Sequence, residues 1–185
     1  VNTCLCLGEA YAAPDPGFDR HVSVPVLWDR QTGRIVNNES SEIIRMLDEE
    51  FDAFAKHPER HYLPRALRSE IDELNAYVYR TVNNGVYRAG FARSQDAYDA
   101  AVLPLFATLD WLEARLAAQA YLCGNRITEA DWRLFTTLVR FDAVYHGHFK
   151  CNIRRIIDYP RLWAYARRLY QWPGVAATVD FGHIK

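Results

Sequence analysis

The sequence predicts an α+β protein in two parts: a small α/β unit over residues 1–57, then an all-helical bundle over 62–185. Three observations predict it. Strand, turn, strand and helix signals follow one another within residues 21–50 and nowhere else. From residue 65 onward, apolar residues recur at helical spacing. Between these regions, residues 52–61 read as a linker punctuated by Pro58 and Pro64, which places the boundary near residue 60.

Residues 1–20 open with a helical hint, with Leu5, Leu7, Ala10 and Tyr11 as its apolar positions, and then loop through Pro14-Asp15-Pro16-Gly17. A hairpin of two strands, His21 to Asp29 and Arg34 to Val36, turns at Gln31-Thr32-Gly33. Residues 40–50 form a helix with Ile43, Ile44 and Leu47 on one stripe. Ile71, Leu74, Val78 and Val82 then mark a helix that Asn83-Asn84-Gly85 breaks or ends. A long helix follows over Ala97 to Leu116, with Leu105, Leu109, Leu112 and Leu116 inward. Gly124-Asn125-Arg126 turns the chain, and helices are expected over 128–146, 159–170 and 173–179. No internal repeat or low-complexity segment is present.

Composition narrows the function. Half of the 185 residues are apolar and 14% are aromatic, enough for one good core or two small ones. The net charge of −1 points to neither nucleic acid nor an anionic membrane. The basic pairs Arg154-Arg155 and Arg167-Arg168 read as solvated helix faces, since acids and aromatics interrupt them. No apolar run reaches the roughly 18 residues of a membrane span, and no secretory signal pattern opens the chain. The four cysteines, Cys4, Cys6, Cys123 and Cys151, include a CxC pair and no CxxC, so neither a zinc site nor a disulfide framework is predicted. They read as reduced, buried thiols in a cytoplasmic protein. His146 and His148, an i, i+2 pair, are poorly placed for a metal, and none is expected.

Two motifs stand out. In residues 24–46 (VPVLWDRQTGRIVNNESSEIIRM), a strand ending near Pro25 lies beside a helix start at Asn38-Glu39-Ser40-Ser41. That start gathers a carboxylate, two hydroxyls and free N–H groups, which suits the ammonium and carboxylate ends of a small peptide-like ligand. An ordinary helix cap uses the same residues. The second motif is Ile127-Thr128-Glu129-Ala130-Asp131-Trp132, a capping box with Thr128 at the N-cap and Asp131 at N3, flanked by apolar residues where a hydrophobic staple belongs. Its expected role is structural.

Together these motifs resemble the glutathione transferase superfamily. Further stretches narrow the resemblance to the glutathionyl-hydroquinone reductases, or Xi-class transferases: Asn83-Asn84-Gly85-Val86-Tyr87-Arg88-Ala89-Gly90, residues 133–142, and Gly147-His148-Phe149-Lys150-Cys151-Asn152. The resemblance implies that residues 1–57 belong to a thioredoxin-like glutathione-binding domain and 62–185 to the helical transferase domain. It implies a cis Val24-Pro25 peptide, with the Val24 backbone pairing the cysteinyl part of glutathione. Glu39 and Ser40 would hold the γ-glutamyl group, Tyr87 would face a quinol substrate, and Tyr145 is a second candidate for that wall. It also implies glutathione as co-substrate and a cytosolic homodimer paired through the helical domain, for which Tyr77, Tyr79, Phe91 and Tyr98 are candidate interface aromatics. The family's catalytic cysteine sits in a Cys-Pro-Trp-Ala motif; no Cys-Pro occurs in these 185 residues, so that thiol is expected outside them. Two alternatives remain open: a non-catalytic glutathione-binding or interaction protein, and an ordinary conjugating transferase.

Overall fold

The computed structural model describes residues 4–184. It divides into two compact units, 1–61 and 62–185.

The first unit contains α1 (Leu7–Ala12), β1 (Leu27–Asp29), β2 (Arg34–Asn37) and α2 (Ser40–Glu49). The strands pair antiparallel, Trp28 opposite Ile35 and Asp29 opposite Arg34. The hairpin is shorter than the sequence indicates: residues 21–26 run irregularly, and the Val24-Pro25 peptide is cis, as the resemblance implies. A proline in the first strand can donate no ladder bond, so pairing begins only after it. The Asp29 carboxylate closes the turn by accepting the Gln31 N–H at 2.8 Å and the Thr32 hydroxyl at 2.6 Å, and Gly33 takes the left-handed conformation (φ 66°) that the turn requires. Of the expected α2 stripe, Ile43 is buried while Ile44 and Leu47 are exposed. The linker holds one 3-10 turn, Asp52–Phe54.

The second unit is α3 (Arg68–Val78), α4 (Gly85–Gly90), α5 (Gln95–Ala118), α6 (Glu129–Arg140), α7 (Pro160–Tyr170) and a short α8 (Phe181–Ile184). Its core draws Ile71, Leu74, Val78 and Val82 from the first predicted stripe and Leu105, Leu109 and Leu112 from the second. The α3 helix does not end at Asn83-Asn84-Gly85. A single π turn, Tyr79–Asn83, carries it into α4, with the Asn84 N–H bonded to the Tyr79 carbonyl at 2.8 Å. The Asn83 amide explains the motif: it donates to the Arg133 carbonyl and the Thr137 hydroxyl of α6 (3.0 and 2.7 Å), so it ties two helices together. A second π turn, Phe141–Tyr145, ends the α6 segment, so the predicted 128–146 helix is regular only to Arg140. The predicted 173–179 helix is a 3-10 turn at Ala176–Thr178.

Side chains from α5 and from the second π turn satisfy helix starts elsewhere. Glu113 accepts the N–H groups of Arg161 and Leu162 at the start of α7, where Pro160 has none to offer. Asp142 accepts those of Ile156 and Ile157. The predicted capping box is built at α6. Asp131, with no solvent exposure, accepts the Thr128 N–H and hydroxyl (2.7 and 2.9 Å), the Leu122 N–H (2.9 Å) and the Tyr165 hydroxyl (2.8 Å). Burial raises its pKa above the ordinary carboxylate value, and the four hydrogen bonds pull against that rise. Beside it, the Glu129 N–H donates to the Tyr62 carbonyl, and the Asn75 amide and Arg133 guanidinium meet the Glu129 carboxylate, linking α3 to α6.

Replacing Asp131 by alanine strands two buried N–H groups and a buried phenol, and is expected to cost about 3–5 kcal/mol in urea unfolding of the helical unit. A loss under about 1 kcal/mol would refute its role as the organiser of this helix start.

Candidate functional site

The predicted site residues fall into two sets, one in each unit. In the first, Val24 and Pro25 follow Ser23, while Glu39 and Ser40 follow Asn38 at the start of α2. All four are exposed. The Glu39 carboxylate folds over its own helix: Oε1 accepts the Ser41 N–H at 3.4 Å and the Ser41 hydroxyl at 3.1 Å. It is thus the N-cap residue of α2, with Ser40 in the first turn. The preceding Asn37 shapes this start, accepting the Glu39 N–H at 2.6 Å and donating to Glu42.

Tyr11, which sequence reasoning treated only as an apolar position of a short helix, joins the two segments. Its buried hydroxyl donates to the Ser23 carbonyl at 2.9 Å and accepts from the Asn38 amide at 3.0 Å. The same amide reaches the Ser23 hydroxyl at 3.2 Å. The hydrogen bond with the Ser23 side chain is the first cause of a lowered Tyr11 pKa.

In the second unit, Tyr87 of α4 and Tyr145 of the second π turn meet hydroxyl to hydroxyl at 3.2 Å. They line a cavity of about 640 Å³, within the range of small-molecule pockets. Phe149 closes the cluster, with ring centroids 5.4 Å from both tyrosines, edge-on to Tyr87 and tilted against Tyr145. Phe91 stacks on Tyr87 at 6.4 Å. Trp132, Phe135 and Val139 of α6, together with Val175 and Val179, supply the apolar wall; Arg140, Asp180 and His183 are the charged or titratable side chains on it. Tyr145 is 5% exposed and Tyr87 43%, so one phenol backs the other and only the outer one is widely open to solvent. Burial first, and then the hydrogen bond to Tyr87, hold the Tyr145 phenol well above its ordinary pKa. The aromatic pocket can therefore offer phenol O–H groups to an oxygen-bearing ring.

Local backbone chemistry fixes the cluster. Lys150 adopts a left-handed conformation (φ 58°), which turns the chain so that the Cys151 N–H reaches the Tyr145 carbonyl at 3.0 Å. Gly90 faces Phe149 so closely that a Cβ there would lie 2.4 Å from the Phe149 Cγ. Phe149 and the α6 wall were not singled out as site residues in sequence; their helical spacing reads equally as core. The thiols stand apart. Burial pushes Cys151 up to about 12 and raises Cys123; contrary to the expectation of four buried thiols, Cys4 is only half-buried and Cys6 is exposed, because the short α1 start leaves them at the surface. Thr128 and Asp131 hold the start of α6 through the hydrogen bonds given above. Among the described residues, no three His, Cys, Asp or Glu side chains converge on a metal site.

Residues 95–168 match the family model of the glutathione S-transferase C-terminal domain. The chain is 53% identical over 185 residues to the glutathionyl-hydroquinone reductase PcpF of Sphingobium chlorophenolicum, covering 100% of this chain and 59% of that protein. It belongs to the glutathione transferase superfamily. Within the superfamily it is also 54% identical to the glutathionyl-hydroquinone reductase YqjG of Escherichia coli, over 97% of this chain and 54% of YqjG. The glutathione-bound structure of YqjG superposes with a TM-score of 0.93, covering 96% of this chain and 57% of that one. Glutathione transferase Xi 1 from Trametes versicolor gives the same score at 51% identity, over 97% and 63%. The fold is thus that of a glutathione transferase, thioredoxin-like part and helical part, and the chain spans a little over half the length of the curated relatives it matches.

Two outcomes follow for this chain. Gly90→Ala should push Phe149 out of place and destabilise the helical unit by about 1–3 kcal/mol in urea unfolding; an unchanged midpoint would contradict the close approach. A thiol reagent at pH 8 should modify Cys6 in the native protein and reach Cys123 and Cys151 only after denaturant is added; native labelling of Cys151, mapped by peptide mass, would contradict the raised pKa.

Proposed function

We propose that the intact protein containing this chain reduces glutathionyl-hydroquinones at the expense of glutathione. The observation that carries this reading is the 53% identity to a glutathionyl-hydroquinone reductase over all 185 residues. The tyrosine-lined pocket supports it as a place for the ring.

In this reaction a thiolate outside residues 1–185 attacks the glutathione sulfur of the substrate thioether. The carbon–sulfur bond breaks, the aromatic carbon takes up a proton, and the hydroquinone leaves. The thiol is left as a mixed disulfide with glutathione. The thiolate of a second glutathione attacks that disulfide, releasing oxidised glutathione and restoring the thiolate. This chain's residues hold and orient. The Val24 backbone pairs with the cysteinyl part of glutathione. Glu39 takes the γ-glutamyl ammonium with the carboxylate oxygen it does not give to Ser41, and the Ser40 N–H and hydroxyl take the carboxylate. Tyr87, backed by Tyr145, donates to a quinol oxygen and favours the negative charge that develops there.

Thiol chemistry of this kind needs a reducing compartment, which supports a cytoplasmic location. We assign the intact protein as a homodimer paired through its helical part. Tyr79 and Phe91 are exposed and available for such pairing, whereas Tyr77 packs edge-on against Trp111 at 5.5 Å and Tyr98 donates to the Lys150 carbonyl.

The full-length protein should turn over glutathionyl-benzohydroquinone much faster than a chlorinated aromatic acceptor. The reverse preference would make it a conjugating transferase, and glutathione binding without either turnover would make it a binding protein. Glu39→Gln should weaken glutathione binding about tenfold to a hundredfold by calorimetry, as expected for losing one charge-assisted contact; unchanged affinity removes Glu39 from the site.

A further inference from the structure

We propose that Tyr11 is a positioning residue for the glutathione cradle, holding the Val24-Pro25 segment and the start of α2 at a fixed separation. The inference rests on the cradle assignment above and adds a residue to it. The cradle's parts lie on separate stretches of chain, around Val24 and around Glu39 and Ser40. The hairpin between them pairs only at Leu27–Asp29 and Arg34–Asn37, so on the Val24 side the ladder stops short of the cradle. Tyr11 spans the gap. Its hydroxyl donates to the carbonyl of Ser23, the residue before Val24, at 2.9 Å. It accepts from the amide of Asn38, the residue before Glu39, at 3.0 Å. Asn38 completes a triangle by donating to the Ser23 hydroxyl at 3.2 Å.

The phenol is well suited to this task. Tyr11 is 5% exposed, while Ser23, Val24, Asn38 and Glu39 are all exposed, so the bridge is anchored from beneath an open surface. Its ring rests against Phe18, with centroids 4.9 Å apart, which aims the hydroxyl. One oxygen is donor to one segment and acceptor from the other, so a change in their separation stretches one bond or both. A ligand held at its cysteinyl part by one segment and at its γ-glutamyl part by the other needs that separation set before it arrives, because ordering the segments on binding would cost affinity.

The test uses the full-length protein and glutathione as the probe. Tyr11→Phe keeps the ring and removes the bridge, and is expected to raise the Kd for glutathione about tenfold, the effect of losing two modest hydrogen bonds. Turnover at saturating substrate should change less than twofold. Asn38→Ala, at an exposed position, removes the other end of the link and should raise the Kd similarly if Tyr11→Phe folds poorly. A structural role alone would not produce coupling: in a Glu39→Gln background, the Tyr11→Phe penalty should shrink, because the carboxylate being positioned is gone. If Glu39→Gln weakens binding while Tyr11→Phe and Asn38→Ala do not, the positioning role is overturned and the cradle stands. Equal Tyr11→Phe penalties in both backgrounds also overturn it. If none of the three variants weakens binding, the cradle and the inference fall together.

Discussion

The carboxylate of Asp131 lies out of contact with solvent at the start of α6 and gathers four donors from three places: Thr128 beside it, Leu122 in the preceding turn and Tyr165 of α7. A buried charge is tolerated only where its partners are complete, and incomplete networks are worse than none. That condition makes Asp131 a constraint on the whole helical unit. The turn before α6, the entry of α6 and the α7 helix must all be in place for the carboxylate to be satisfied. Once they are, α6 is aimed, and Trp132, Phe135 and Val139 on it become one wall of the aromatic pocket.

The opposite wall depends on two departures from regular helix. Each π turn inserts one extra residue into the i→i+4 ladder and so rotates everything that follows on the helix surface. The turn at Tyr79–Asn83 sets the direction of α4 and hence of Tyr87. The turn at Phe141–Tyr145 contains Tyr145 itself. Two phenols from distant parts of the sequence come to 3.2 Å because both helices are interrupted. Such interruptions are common where a protein binds something, and the close packing of Phe149 against Gly90 holds that ring beside the two phenols.

Periodicity and capping made most of the helical unit legible. The Ile71–Val82 and Leu105–Leu112 stripes are core, and the Thr128–Asp131 box starts α6. What periodicity cannot express is a one-residue insertion, so Asn83-Asn84-Gly85 reads as a helix end. The Asn83 side chain instead spends its donors on α6 and lets the helix continue. The hairpin reads longer than it is because β-branched residues around a proline look like strand, whereas the missing N–H decides. Glu39 and Ser40 are recognisable as a helix start, and their ligand role comes from family likeness. Tyr11 carried no signal, because its partners are a backbone carbonyl and an amide brought near only by the fold.

The silence of the buried cysteines has a consequence for sulfur traffic. A protein that works through mixed disulfides, as proposed here, exposes every accessible thiolate to exchange, and rates follow the thiolate fraction. With its pKa pushed up to about 12, Cys151 is almost wholly protonated at neutral pH, although it lies in the same segment as Phe149 and two residues from it in sequence. In the proposed reaction, a glutathionyl group near the aromatic pocket would meet a Cys151 that is a poor competing acceptor. The buried Cys151 thiol would therefore not become a dead-end store for the substrate's sulfur.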